Sequence, residues 1–317
     1  MKQLIVFLLF GTFLFAKPFI PQDLNRTLLS LEQDEASKAI ASLLQKVQAQ
    51  PNNLVLVEEL ATLYIETAKK KANVSYMGYA KALLAPYLKK YSNNTTFILY
   101  QVDILQYTHA FDEALALLAP LTTKGAKEAK AYLMKATIYE AKEEYAPALR
   151  ACKQLILRSS ALLSATCIST MQSHLGKLEE SYSLLEKVYA QNKQEQGSEQ
   201  VWALTSLADM AYRLNQQEKA LAYFKEALSI NPSDHFVLRR MAEIYLEKKR
   251  YADVKTLLNA YSFVDALFLR ETLAKEKLGE NIMLEKERLS AYLKGLTLRD
   301  ETPHQEDLPY FKALGLL

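Results

Sequence analysis

The 317-residue sequence carries 39 basic and 36 acidic side chains, so its formal net charge is only +3. Half of its residues are hydrophobic, yet it has only 8 glycines and 9 prolines, which favours long helices over short strands joined by tight turns. Two basic runs, 69–71 and 248–250, are interpreted as solvated parts of helix–helix turns. The fold class is therefore predicted to be all-α, and no nucleic-acid partner is expected because no clustered positive surface is predicted.

The first residues of the chain have the pattern of an export signal. Lys2 precedes an apolar stretch over residues 4–16, and the first acidic residue is Asp23. This pattern predicts a secretory signal peptide over residues 1–16, and the stretch is shorter than the roughly 20 residues of a membrane span. We expect an exported protein of the periplasm or cell envelope, with membrane contact only if this segment stays uncleaved. Asn25 fits an N-glycosylation acceptor, a pattern that matters only where the exporting cell has the enzyme.

One helical pattern returns along most of the chain. In its clearest copy, residues 201–233, two apolar helical faces flank the polar turn 215–217 and Pro232 closes the unit. The residue that opens the packed face of each second helix recurs as Ala39, Ala80, Ala114, Ala148, Ser181, Ala220 and Val254. Successive positions differ by 41, 34, 34, 33, 39 and 34 residues. We attribute the two long intervals to a lengthened turn at 69–75 and a polar loop at 192–197, and the regular spacing predicts a repeat architecture.

The pattern resembles the tetratricopeptide repeat (TPR) family, whose second helix carries A-x3-F and whose repeat ends in proline. Ala220, Phe224 and Pro232 match that motif directly. The resemblance extends over roughly residues 22–262. It implies a right-handed superhelix, or solenoid, of about seven TPR-like helix-turn-helix repeats with degenerate caps.

The chain is expected to divide into consecutive segments on this interpretation. They are a signal peptide or N-terminal anchor at 1–16, N-terminal capping helices at 17–52, a diverged TPR array at 53–190, a polar loop at 191–200, a well-matched TPR pair at 201–262, and C-terminal capping helices with a tail at 263–317. The end of that tail, residues 303–317, is expected to dock loosely.

No catalytic or cofactor motif occurs in the sequence. It lacks a Gly-rich phosphate loop, a G-x-S-x-G elbow, an H-E-x-x-H pair and a C-x-x-C pair. Among four scattered histidines, His109 is expected in a turn and His235 at the start of a helix, both facing solvent. Cys152 and Cys167 could close a disulfide loop of about 15 residues, although two buried thiols are the favoured interpretation. We predict no catalytic residue, no cofactor and no metal site.

The resemblance also implies a binding surface, because the first helices of TPR repeats line a concave groove. Carried onto this chain, the groove positions are Leu99, Asp103, Tyr107, Lys130, Leu133, Thr137, Trp202, Thr205, Asp209, Tyr212, Phe236, Arg239 and Glu243. Trp202 is interpreted either as an interface anchor or as packing on the preceding polar loop, and Tyr212 either as a groove residue or as buried between helices. These groove positions are mainly apolar and acidic. They are therefore expected to bind a partner segment with basic and aromatic residues rather than an acidic C-terminus.

These features predict a non-enzymatic scaffold of the cell envelope that binds a protein or peptide partner along the concave groove. The alternative is a membrane-tethered assembly factor or chaperone that keeps residues 1–16 as its anchor, which intact-mass measurement would distinguish. An enzyme or glycan-binding module built across the repeats would require a closed, convergent pocket.

Overall fold

The computed structural model describes residues 34–123, 128–192, 197–298 and 300–317, and over these residues the protein is entirely helical with no β-strand. The predicted all-α superhelix is confirmed. The helices are α1 (Glu35–Ala49), α2 (Leu54–Lys71), α3 (Ser75–Lys90), α4 (Thr95–Tyr107), α5 (Phe111–Leu118), α6 (Ala129–Ala141), α7 (Tyr145–Lys153), α8 (Ala161–His174), α9 (Leu178–Gln191), α10 (Ser198–Arg213), α11 (Gln217–Ile230), α12 (His235–Glu247), α13 (Tyr251–Leu258), α14 (Asp265–Lys277), α15 (Met283–Leu298) and α16 (Leu308–Ala313).

From α2 onward the helices form consecutive hairpins, each even-numbered helix pairing with the next odd-numbered one through α15. Six of the seven repeat positions identified from the sequence are buried where a second helix packs on its first: Ala80, Ala114, Ala148, Ser181, Ala220 and Val254. A small side chain there lets the two helices approach closely. The seventh position, Ala39, was assigned wrongly because α1 instead buries Ile40 and Val47.

The turns inside five successive hairpins share one backbone geometry. His109, Glu143, Gly176, Asn215 and Lys249 each lie two residues before the second helix begins and have positive φ angles between 55° and 87°. A left-handed residue ends the first helix and reverses the chain. The predicted placement of His109 in a turn is confirmed, and its side chain is exposed.

The 41-residue interval near the N-terminus has a different cause from the one expected. Residues 69–71 form the last turn of α2, so the extra residues lengthen a helix rather than a loop. Two of the three lysines there are also paired rather than simply solvated: Lys69 contacts Asp103 at 2.8 Å, and Lys71 forms an ion pair with Asp34, the N-cap of α1. These pairs tie α1 and α4 to the end of α2.

Cys152 and Cys167 form a disulfide, contrary to the favoured expectation of two thiols. Their Cα atoms are 5.4 Å apart, and both residues are buried. The bond joins the second helix of one hairpin, α7, to the first helix of the next, α8, and so links two repeats covalently. Sequence spacing could not show that these two helix faces meet.

The C-terminal segment packs firmly, which corrects the expectation of a loosely docked tail. A 3₁₀ turn at Gln305–Asp307 leads into α16, whose Phe311 and the following Leu314 are each 2% exposed. These two side chains join Phe268 of α14 and Leu289 of α15 in one hydrophobic cluster. The segment therefore caps the end of the superhelix and contributes to its core.

Two further features bear on the predicted segments. The chain enters α10 at Ser198, inside the span 191–200 expected as a loop.

None of the helices in the described ranges is both long and apolar enough to cross a membrane. The predicted signal segment 1–16 and the glycosylation candidate Asn25 lie outside the described residues.

Candidate functional site

First helices of four successive hairpins, α6, α8, α10 and α12, surround a pocket of about 400 Å³ that we call the concave pocket. Aromatic, carboxylate and hydroxyl side chains line it together. The lining residues are Glu140, Thr170, Ser173, His174, Trp202, Thr205, Ser206, Asp209, Met210 and Phe236. Its size and mixed lining are typical of sites that hold a side chain or a small ligand.

Two aromatic residues form the apolar walls. Trp202, the only tryptophan of the chain, is half-buried and packs against the cluster that contains the Cys152–Cys167 disulfide. Phe236 on α12 is 47% exposed. Trp202 also lines a neighbouring hollow beside Gly197, and its role as an interface anchor stays a prediction.

The hydroxyl groups of the pocket are held by bonds within the protein. Thr170 donates to the backbone carbonyl of Thr166 at 2.8 Å, and its hydroxyl is bonded to that of Ser206 at 3.0 Å. Arg213 donates to the hydroxyl of Ser173 at 2.8 Å. These bonds fix α8 against α10 and leave the pocket preformed rather than dependent on a ligand.

Two carboxylates face the pocket in different environments. Burial, together with the nearby charge of Asp209, raises the pKa of Glu140 from 4.5 to about 7. Asp209 is paired at longer range with Arg213 at 3.7 Å and with Arg240 at 3.6 Å. No described residue forms a hydrogen bond or ion pair with the Glu140 carboxylate.

His174 is held against the pocket wall. Its ring stacks on Tyr145 with 4.3 Å between centroids and 2° between planes. Burial lowers the pKa of His174, and the positive charge of Arg213 lowers it further. Both effects favour the neutral imidazole over the charged one.

The structure brings together only some of the predicted groove residues. Trp202, Thr205, Asp209 and Phe236 meet in the concave pocket. Tyr212 lies beside it, half-buried, and its hydroxyl donates to Glu247 at 2.6 Å; this bond, with burial, raises the pKa of Tyr212 to about 12.

Three other predicted groove residues lie among the earlier hairpins. Asp103 and Tyr107 line a separate hollow beside His109 and His304. Lys130 is exposed, with its ammonium 5.7 Å from the centre of the Tyr100 ring. These residues are distant in sequence from the concave pocket and do not line it.

Three more predicted groove residues pack against neighbouring hydrophobic or hydroxyl groups. Leu99 is 6% exposed and belongs to the core cluster of α4, α5 and α6, so its assignment to the groove was wrong. Leu133 is half-buried against the disulfide cluster. Thr137 accepts a hydrogen bond from Gln106 at 3.0 Å.

Arg239 and Glu243 are engaged by the chain itself. Arg239 pairs with Glu306 of the C-terminal segment at 3.0 Å. Glu243 is buried and accepts from Arg270 at 2.6 Å, and Arg270 in turn donates to Asp307 at 2.7 Å. The expectation that both residues face an open groove is corrected, because the C-terminal segment covers this part of the inner surface.

The sequence interpretation missed six of the lining residues: Glu140, Thr170, Ser173, His174, Ser206 and Met210. The one usable signal was spacing, since Glu140 follows the predicted groove position Thr137 by three residues on the same helix and therefore lies on a similar face. His235 begins α12 as predicted, but it is half-buried rather than solvent-facing: its ring contacts those of Tyr261 and Phe263, and burial lowers its pKa. Among the described residues, no group of His, Cys, Asp and Glu side chains has a metal-binding arrangement.

Comparison with known proteins identifies the repeat. Residues 159–233, which span α8 to α11, match the tetratricopeptide repeat family. The match thus includes the α8–α9 hairpin, whereas the sequence interpretation had ranked α10–α13 as the best copies. A comparison with curated protein sequences gave no match.

Solved structures agree with this fold. The APC/C hetero-tetramer Cut9–Hcn1 is 15% identical with a TM-score of 0.54, covering 88% of this chain and 52% of that one. The human IFIT1 dimer with m7Gppp-AAAA is 15% identical with a TM-score of 0.52, covering 89% and 65%. A tetratricopeptide repeat protein from Parabacteroides merdae is 16% identical with a TM-score of 0.47, covering 79% and 98%.

This chain therefore spans about half the length of the Cut9–Hcn1 chain that it resembles. At such low identity the likeness concerns the fold alone. Over the described residues the protein has the all-α superhelical fold of TPR proteins, as the resemblance implied.

Proposed function

We propose that this protein is a non-enzymatic scaffold of the cell envelope that binds a segment of a partner protein in the concave pocket. One observation carries the proposal: four successive first helices place Trp202, Phe236 and two carboxylates around one preformed hollow. Exposed aromatic residues at the centre of a groove are the residue type that dominates interface energies. Stacked helix pairs commonly present such a surface to extended or helical segments.

The proposed location rests on two features. The N-terminal sequence has the pattern of an export signal. The buried disulfide between Cys152 and Cys167 is of a kind that persists in oxidising compartments and is rare in reducing ones. Both support an exported protein.

Site-specific photo-crosslinking in the producing cells tests the pocket. A photoreactive residue is placed at Phe236, and in a matched control at Leu184 on α9, because these side chains are 47% and 46% exposed. We expect the Phe236 probe to capture a specific envelope protein that the Leu184 probe does not capture. The capture should also disappear when Trp202→Ala is added, since the indole forms a pocket wall.

Identical capture from both positions would contradict the proposal. So would a Phe236 capture that is insensitive to Trp202→Ala. In either case partners would have to contact another face of the superhelix. Circular dichroism of the Trp202→Ala variant provides the control that its helices are intact.

A further inference from the structure

We propose that the concave pocket recognises a cationic side chain, lysine or arginine, of the partner segment. This inference rests on the proposed function and specifies the chemistry of the same site. It combines three independent features of the pocket: an unpaired carboxylate, a second carboxylate with spare hydrogen-bonding capacity, and two aromatic walls.

Glu140 is the first feature. Its carboxylate lines the pocket, and no described residue donates a hydrogen bond or provides an ion pair to it. Glu140 is partly buried, so its carboxylate has lost some of the water that would stabilise its charge. An ammonium or guanidinium group entering the pocket would supply the missing partner.

Asp209 is the second feature. Its distances of 3.7 Å to Arg213 and 3.6 Å to Arg240 exceed the roughly 2.7–2.9 Å of a direct charge-assisted hydrogen bond. Both arginines have closer partners elsewhere, Arg213 at Ser173 and Arg240 at Glu243. Asp209 lines the pocket and accepts no direct hydrogen bond from either arginine.

The aromatic walls are the third feature. Long basic side chains have an apolar stem and a charged head, and the rings of Trp202 and Phe236 provide apolar contact for the stem. A cation close to the face of a tryptophan ring gains additional electrostatic attraction. An acidic side chain would instead meet two carboxylates, and a neutral one would leave Glu140 unpaired.

The affinity of the pocket for a cation should also depend on pH, because Glu140 binds a proton. The charged and titratable groups around Glu140 are Asp209 and Arg213 on α10, His174 on α8, Tyr145 at the start of α7 and Glu143 in the turn before it. Because the pKa of Glu140 is about 7 in the empty pocket, a cation that binds the carboxylate must displace its proton at lower pH. Affinity is expected to rise about tenfold between about pH 6 and about pH 8.

The experiment begins with a random phage-displayed peptide library selected on the full chain. Tryptophan-free versions of the selected peptides are then titrated against the protein at both pH values, using the emission of Trp202 as the readout because it is the only tryptophan. Each peptide is compared with a version in which norleucine replaces the basic residue. The protein variants are Glu140→Gln and, as a matched control, Glu179→Gln on the exposed face of α9.

The inference expects a shared basic residue in the selected peptides and an affinity loss of about tenfold or more on its replacement by norleucine. Glu140→Gln should produce a similar loss at the higher pH and a weaker pH dependence, whereas Glu179→Gln should behave as wild type. If the affinity of the Glu140→Gln variant still depended on pH, the titrating group would be His174, and the role of Glu140 would be overturned.

The cation preference and the scaffold function are contradicted by different outcomes. Peptides that alter Trp202 emission without a basic residue, or that bind Glu140→Gln equally well, would overturn the cation preference and leave the scaffold function standing. If no selected peptide alters Trp202 emission, the pocket is not the binding site, and the proposed function fails together with this inference.

Discussion

Burial of Glu140 lowers the stability of the folded protein when its carboxyl group is charged. Its side chain is partly buried in the concave pocket, and this burial, together with the charge of Asp209, raises its pKa from 4.5 to about 7. The folded state therefore binds the proton more tightly than the unfolded state does. The stabilisation from that proton is complete below about pH 4.5 and is lost as the pH rises through about 7.

The consequence can be measured without any ligand. We expect Glu140→Gln to match wild type near pH 4.5 and to exceed its free energy of unfolding by roughly 3 kcal/mol near pH 8, the amount that corresponds to the pKa shift. Urea unfolding of both proteins across this pH range gives the difference. A difference that does not change with pH would show that Glu140 is solvated rather than buried.

Trp202 illustrates why residue roles could be only partly predicted. Its place on the first helix of a repeat follows from the periodicity, and the sequence allowed either a groove or a packing role. Its side chain packs against the disulfide cluster and also lines the concave pocket, so its packing role is observed and its binding role stays a prediction. Leu99 was placed in the groove by the same register, but α4 turns that side chain into the core.

At the scale of elements, the disulfide is the main link between hairpins that periodicity did not reveal. It joins α7 to α8 across a sequence separation of 15 residues, and it lies beneath Trp202. Other neighbouring hairpins are held only by packed side chains, hydrogen bonds and ion pairs among the described residues. The bond therefore stabilises the repeats that support the concave pocket.

Removing the disulfide should destabilise the protein measurably. For a closed loop of about 15 residues, the chain-entropy estimate is about 3 kcal/mol, so the Cys152→Ala, Cys167→Ala double variant should unfold at lower urea concentration than wild type. Wild type unfolded and refolded under reducing conditions serves as the matched control and should show the same loss. Equal stability of oxidised wild type and variant would mean that the bond contributes nothing to folding.

At the scale of the whole molecule, the superhelix brings its C-terminal end near its early hairpins. The ring of His304 lies 5.9 Å from that of His109 in the α4–α5 turn. The adjoining residues Glu306 and Asp307 form ion pairs with Arg239 and Arg270. The C-terminal segment therefore closes the last hairpins and also contacts a repeat far away in the chain.

Deleting residues 303–317 tests this arrangement. We expect lower hydrogen-exchange protection in α12, α14 and α15, because Arg270 loses Asp307 and breaking such a buried ion pair costs about 3–5 kcal/mol. Protection in α2 and α3 should change little, since repeats are stabilised mainly by their neighbours. His304→Ala, which keeps the segment docked, is the control, and a uniform loss throughout the chain would contradict the repeat-by-repeat account.

The sequence by itself determined the all-helical class, the hairpin repeat and most of its buried positions, because these depend on local periodicity and on a small side chain at each close helix contact. Only the tertiary structure decided that Cys152 meets Cys167, that residues 69–71 extend a helix, and that Arg270 is buried between Glu243 and Asp307. It also decided that Glu140 joins Trp202 at one pocket. Such features depend on how the superhelix curves, because its curvature decides which helix faces meet when they lie a repeat or more apart in the sequence. The pattern of residues along one helix does not contain that information.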